Sequence, residues 1–409
     1  MTEQERTRRT YRLELQRAVP HGILESAGST FLLLIALRYF HAGATAKALI
    51  ASGGSVGLML APAVVSLVAR RRWPAAQAAA GFAAMGAGIF LLLGLVPWLP
   101  LYVVGSIAGM TAATAVIPLM TQIYQDNYPD ERRGKLYSRA VMLRIAVHAG
   151  FSELAGRLLE ADIQRSRLLL FLFAAAFAVA AWRLTRYPSR PLHDEGGTHP
   201  FRAMRYVRED RLFRHTLVCW MLMGFANLMM LPLRIEYLGN PKYGLNLSVQ
   251  QIALLIGVVP NLARLAMNQV WGVLFDRMNF FTLRVVLNAG FALSILTFFF
   301  SSTLTGLVAG AIIFGISNSG GDVAWGLWVT KLAPAARVAD YMSVHVFFTG
   351  LRGVAAPVVA FHLAGVYSLP TLGVLSAVLI LLASLLLIPE IRWFRNVRPG
   401  GRVVEGVPE

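Results

Sequence analysis

Runs of about twenty consecutive apolar residues recur along almost the whole 409-residue chain, and this recurrence limits the possible folds more than any other feature. At about 1.5 Å per helical residue, such a run can cross a hydrocarbon core about 30 Å thick. Lipid cannot satisfy backbone N–H and C=O groups, so each run must close its own hydrogen bonds as a helix. The ten-residue alternation of an outer-membrane barrel is absent. Composition agrees: 56% of the residues are hydrophobic, only 14% are charged, and the mean hydropathy is +0.58. A soluble chain of this length is less apolar.

The runs predict an all-α polytopic membrane protein with twelve spans, at residues 20–40, 47–69, 73–96, 98–124, 136–160, 166–185, 211–237, 249–274, 283–302, 304–331, 339–364 and 368–390. The first run reaches full spanning length, which reads as a span rather than as a cleaved leader. Most connections are short. The exception, residues 187–210, is rich in Pro, Gly, His and charge. It divides the chain into an N-terminal six-helix bundle (1–186), a linker (187–210), a C-terminal six-helix bundle (211–392) and a tail (393–409). Within the linker, Arg202, Arg205, Arg208 and Arg211 recur every third residue. That spacing suits either a short helix on the leaflet surface or a solvated basic linker.

A formal net charge of +17 would suit nucleic-acid binding only if the cations gathered on a soluble face. They lie instead in short loops between apolar runs, so nucleic acid is not an expected partner. Anionic lipid head groups are. One side of the chain collects 28 Lys and Arg residues, while the other holds Arg38, Lys47, Arg165, Arg167 and Lys242. By the positive-inside rule both termini are cytoplasmic. The expected setting is the plasma (inner) membrane, as a monomer. The single cysteine, Cys219, lies in an apolar run and reads as a packing thiol.

Self-comparison finds a weak internal repeat. A shift of 205 places Pro129-Asp-Glu-Arg132 on Pro334-Ala-Ala-Arg337, and a shift of 206 places Ser66-Leu67-Val68 to Arg71 on Gly272-Val273-Leu274 to Arg277. Six spans separate the matches, so the halves would share one orientation as parallel repeats. Gly272-Val-Leu274-Phe-Asp276-Arg277 resembles the Gly-x-Leu-x-Asp-Arg signature of the major facilitator superfamily, and Pro129-Asp-Glu-Arg132-Arg133-Gly134-Lys135 resembles the loop after its fourth span. The first-half counterpart, Ser66-Leu-Val-Ala-Arg70-Arg71-Arg72, lacks both the glycine and the acid. The resemblance implies a rocker-switch transporter of a small solute, with Asp276, Arg277 and Arg132 as gating residues.

Ionisable groups inside spans cost about 2.5–3.5 kcal/mol each on insertion scales, so each one is a functional candidate. Those well inside the membrane are Glu25 in span one, Arg144, His148 and Glu153 in span five, Arg264 in span eight, Asp322 in span ten, and His345 and Arg352 in span eleven. Spans three, six, nine and twelve read as free of them, and as lipid-facing. Arg144 and His148 share a helix face, as do Asn261, Arg264 and Asn268 just beyond Pro260, and His345, Thr349 and Arg352. Asn318 and Asp322 share another, while Glu153 and Arg157 are spaced to pair with each other.

The expected function is secondary active transport by alternating access, with proton coupling. Substrate-binding candidates are Arg144, His148, Asn227, Asn261, Arg264, Asn268 and Arg352, and the three arginines lean toward an organic anion. Coupling candidates are Asp322, Glu25 and His345. The methionines and aromatics of span seven, Trp220 among them, read as packing. No Walker A motif is present, and neither a cofactor nor a metal is expected. The alternatives are a non-transporting sensor of the same fold and an intramembrane transferase using lipid donors.

Overall fold

The computed structural model describes residues 2–191, 204–333 and 338–394. The first helix, α1 (Glu3–Arg38), is 36 residues long, or about 54 Å at the helical rise. That exceeds the hydrocarbon core, so its polar beginning extends past the membrane. The helix thus begins well before the apolar run that starts at residue 20. A capping box begins the helix earlier, with the Thr2 hydroxyl accepting from the Glu5 N–H and the Glu5 carboxylate accepting from the Thr2 N–H.

There follow α2 (Ala44–Arg70), α3 (Ala75–Leu95), α4 (Leu99–Asn127), α5 (Asp130–Ala161) and α6 (Ser166–Leu184). After the linker come α7 (Arg211–Gly239) and α8, which joins Val249–Ala253, a π-helical turn Leu254–Val258 and Val259–Arg277. The chain ends with α9 (Phe280–Phe299), α10 (Leu304–Leu332), α11 (Val338–Leu363) and α12 (Leu369–Phe394).

Eleven helical stretches are long and apolar enough to cross a membrane. The remaining long helix, α5, is too charged to qualify by composition, with Arg144, Glu153, Arg157 and Glu160 along it. The helices read as lipid-facing present large apolar side chains outward: Leu91 and Leu92 on α3, Leu172 and Val179 on α6, Val286 and Leu293 on α9, Val378 and Leu385 on α12.

One expectation fails on α9. Its N-terminus lies at Phe280 because the Asn279 side chain caps it, accepting from the N–H groups of Phe281 and Thr282. Arg284 is thus in the second turn, 3% exposed, rather than in a loop, and the ninth span is not free of charge.

The ends of the helices sort onto two sides. On the side of the termini, Thr7 bonds to the Asn127 carbonyl, Asn127 to the Pro188 carbonyl, and Tyr341 to Asp210. Arg17, expected as a topology residue in a loop, is bonded in the helix to Glu14 and to the Tyr124 hydroxyl. Tyr187 also donates to Glu14 at 2.7 Å, and burial together with that carboxylate pushes its phenol well above the ordinary range. Of the linker, residues 192–203 lie outside the described set, and Arg202 with them, whereas Arg205, Arg208 and Arg211 are described. Arg205–Glu209 forms one helical turn, and Tyr206 stacks on Tyr341.

Helices α1–α6 meet α7–α12 from mid-depth to the opposite side. There Arg38 donates to the Leu247 carbonyl, and Lys47 pairs with Glu236 at 2.5 Å with both side chains buried. Ser52 donates to the Val354 carbonyl. Glycines let the backbones close: a Cβ on Gly350 would lie 2.8 Å from both Met59 Cα and the Ser55 carbonyl oxygen, and one on Gly257 would lie 2.5 Å from Ser152 Oγ. Among the described residues, no hydrogen bond or ion pair joins the two sets on the side of the termini.

These approaches separate two glycines of similar helical setting. Gly350→Val forces α11 off α2 and is expected to cost about 1–3 kcal/mol through overpacking, seen as a lower midpoint of thermal unfolding in detergent. Gly272→Ala, where an added Cβ meets nothing within 4 Å, is expected to leave the midpoint unchanged or raise it.

Candidate functional site

Mid-depth between the two sets of helices, four ionised side chains converge. Glu25 comes from α1, Arg144 from α5, Arg264 from α8 and Asp322 from α10. Arg264 is the centre. Its Nε donates to Asp322 Oδ2 at 2.5 Å and its Nη1 to Glu25 Oε1 at 2.9 Å. Arg144 Nε lies 2.9 Å from the other oxygen, Glu25 Oε2, close enough for an ion pair although the N–H is not aligned as a hydrogen bond. Two cations therefore face two anions, which is what a membrane interior requires before it tolerates any of them.

Local backbone irregularity brings these groups together. Pro20 removes one hydrogen bond from α1 a turn before Glu25, and a π-helical turn, Ala27–Phe31, follows directly. In α8 a second π-helical turn, Leu254–Val258, runs into Pro260 just before Asn261 and Arg264. Each irregularity turns the polar face of its helix relative to its outer segment.

A neutral chain extends the cluster. Arg264 has only donors, so the Asn261 oxygen must face its Nη1, 3.3 Å away. The Asn261 amide nitrogen then donates to the Gly257 carbonyl at 2.7 Å and to His148 Nδ1 at 3.3 Å. His148 Nδ1 must accept, which places its proton on Nε2, donating to Ser29 Oγ at 3.1 Å. The ring is thus held in one tautomer. Glu25 Oε1 waits 3.8 Å from the same Nδ1.

Within the cluster the Asp322 side chain is the most open, 41% exposed, whereas that of Arg264 is 8% exposed.

The remaining sequence candidates lie elsewhere. Arg352 donates to the Trp220 carbonyl and His345 is fully buried among tryptophans, both inside the second set of helices. Asn227 is half-buried with its Oδ1 unpartnered, and Asn268 makes no hydrogen bond among the described residues. Arg277 and Arg132 are exposed at helix ends and form no described ion pair. The Asp276 side chain and residues 334–337, the second copy of the repeat loop, lie outside the described residues. Glu153 pairs with Arg157 at 2.7 Å. Three features escaped the sequence reading: Ser29, the Lys47–Glu236 pair and Arg284. The Asn279 cap was the available signal for the last.

No family model matches the sequence, and no curated protein sequence matches it. Solved structures do. The nucleoside transporter NupG superposes with a TM-score of 0.71 at 14% identity, covering 95% of this chain and 100% of that one. A D-xylose-proton symporter gives 0.69 at 14% identity, covering 93% and 96%. The human organic anion transporter MFSD10 gives 0.68 at 12% identity, covering 95% and 100%. The chain is a multi-pass helical membrane protein that shares the fold of these solved transporters. At such identities the likeness concerns the fold alone.

Arg264→Gln removes the shared partner of two carboxylates. It is expected to destabilise the protein by about 3 kcal/mol, the scale for breaking a buried pair. Adding Asp322→Asn should then cost less than it does alone, with a coupling above about 0.5 kcal/mol in a thermal-unfolding double-mutant cycle.

Proposed function

We propose that this protein is a secondary transporter of a small solute, working by alternating access and coupled to protons at the Glu25–Arg144–Arg264–Asp322 cluster. The observation that carries this proposal is the partition of the four charges. Arg144 and Glu25 belong to α1–α6, and Arg264 and Asp322 to α7–α12, so the cluster can divide into two neutral pairs. Among the described residues, Arg264–Glu25 is the one ion pair that joins the sets there. Rocking one set against the other thus strands no bare charge, and the barrier that desolvated ions would otherwise impose is avoided.

Protonating Asp322 would free one arm of Arg264 and strengthen its hold on Glu25. Deprotonation would return it. A proton thereby biases a two-state equilibrium through contacts that differ between the states. The far-side closure through Lys47–Glu236, Arg38 and Gly257 supports a state that opens toward the termini. Twelve spans in two parallel six-helix halves, α5 included, with cytoplasmic termini in the plasma (inner) membrane, complete the proposal. The charges of α5 suit a span because they are met: Arg144 by Glu25, and Glu153 by Arg157 and Gln250. Arg264 and Arg144 are satisfied by carboxylates, so these two offer an anionic substrate no unpaired charge.

Proteoliposomes loaded with a pH-sensitive dye test the proposal, using a nucleoside, D-xylose and an organic anion as solutes. Uptake of at least one solute is expected to quicken with an imposed proton gradient, and Asp322→Asn to lose that response. Uptake that ignores the gradient and survives in Asp322→Asn would sink proton coupling. Binding without movement for every solute would favour a sensor.

A further inference from the structure

Inside the second set of helices, a cluster separate from the four-charge site has its charges unanswered. Arg284 of α9 lies with its guanidinium carbon 3.8 Å above the Trp220 ring, and its Nη2 approaches Met223 Sδ at 3.3 Å. Arg352 of α11 reaches the same Trp220, donating to its carbonyl. Room for that guanidinium exists only because residue 224 is glycine: a Cβ there would lie 2.7 Å from Arg352 Nε. Two cations therefore converge on one α7 residue. Among the described residues, neither forms an ion pair with a carboxylate.

The groups around them are also unsatisfied, and mostly donors. His345 is 0% exposed, its ring 5.4 Å from Trp220 and 5.1 Å from Trp328, and neither nitrogen has a partner. The indole N–H groups of Trp220 and Trp328, Thr349 Oγ1 and Arg352 Nε are unpartnered as well. A cation–π contact offsets only part of the cost of burying a guanidinium without a counter-charge. Arg234, also buried without a carboxylate, differs in standing alone over Phe314 and Phe298. A surplus of buried N–H donors around two fixed cations is what an anion with acceptor oxygens or a halide would complete.

We propose that Arg284 and Arg352, with Trp220, Trp328, His345 and Thr349, form a binding site for a small monovalent anion within the second set of helices. The site does not depend on transport, so it stands or falls separately from the function proposed above. Trp220 and Trp328, stacked at 5.3 Å, flank it together with the His345 ring.

Equilibrium dialysis of the purified full-length protein tests this with labelled chloride and labelled acetate at constant ionic strength, gluconate serving as the bulky replacement anion. Saturable binding near one ion per chain is expected, with a matching change in tryptophan fluorescence. Arg284→Gln and Arg352→Gln should each weaken binding at least about tenfold, as loss of a charge-assisted hydrogen-bond donor does. Thr349→Val, which keeps the packing, should weaken it by a smaller factor. Acetate displacing chloride assigns the site to the carboxylate of a solute, and chloride binding without acetate competition assigns it to a halide. Either supports the proposal. Absence of saturable binding of both ions to the wild-type protein overturns it, whatever the variants do, as does affinity unchanged in both arginine variants.

Discussion

Arg264 holds a carboxylate from each set of helices in one guanidinium, and most of the interior arrangement follows from that grip. A planar fork with donors only can bind two acids in fixed directions while a third donor arm orients the Asn261 amide. Through Asn261 it sets the tautomer of His148, and through Glu25 it is tied to Arg144. Remove the guanidinium and two buried acids lose their counter-charge, an amide loses its orientation and a histidine loses its defined acceptor. The two π-helical turns and the two prolines beside the cluster are the backbone's adaptation to it: they let α1 and α8 present polar faces inward without unwinding.

The contacts that hold the two sets together differ in kind along the depth of the membrane. On the far side a buried lysine is sealed against Glu236 and Gly257 lies close against Ser152. At mid-depth backbones touch at Gly350, and the four-charge cluster adds ionic contacts. The two polar regions of the molecule differ in balance: the four-charge cluster pairs its arginines with carboxylates, whereas the arginines around Trp220 meet none among the described residues.

Much of the membrane architecture was legible in the chain because hydropathy is a local property. Runs of about twenty apolar residues can only be helices in lipid, and the helices that lack charge on one face after another are the ones whose Leu and Val side chains point outward. The helix-face arithmetic was also local: Asn261 with Arg264 and Arg144 with His148 stand on common faces, as their spacing requires. Boundaries were less legible where a cap rather than hydropathy decides them. Thr2 and Asn279 start α1 and α9 before their apolar runs, which places Arg17 inside α1 and Arg284 in the second turn of α9.

The pairing of the charges was decided by tertiary structure alone. The sequence determined that Arg144, Arg264 and Arg352 must each be answered inside a membrane, since the cost of an ion in hydrocarbon depends only on its depth. Which groups answer them depends on which helices become neighbours, and residues 239 positions apart, such as Glu25 and Arg264, carry no mark of that in their local pattern. Packing gave two of the arginines carboxylates and the third only a tryptophan carbonyl. It also joined Lys47 to Glu236 and set Arg284 over Trp220. A burial cost is written into each segment separately, whereas its compensation is a property of the assembled bundle.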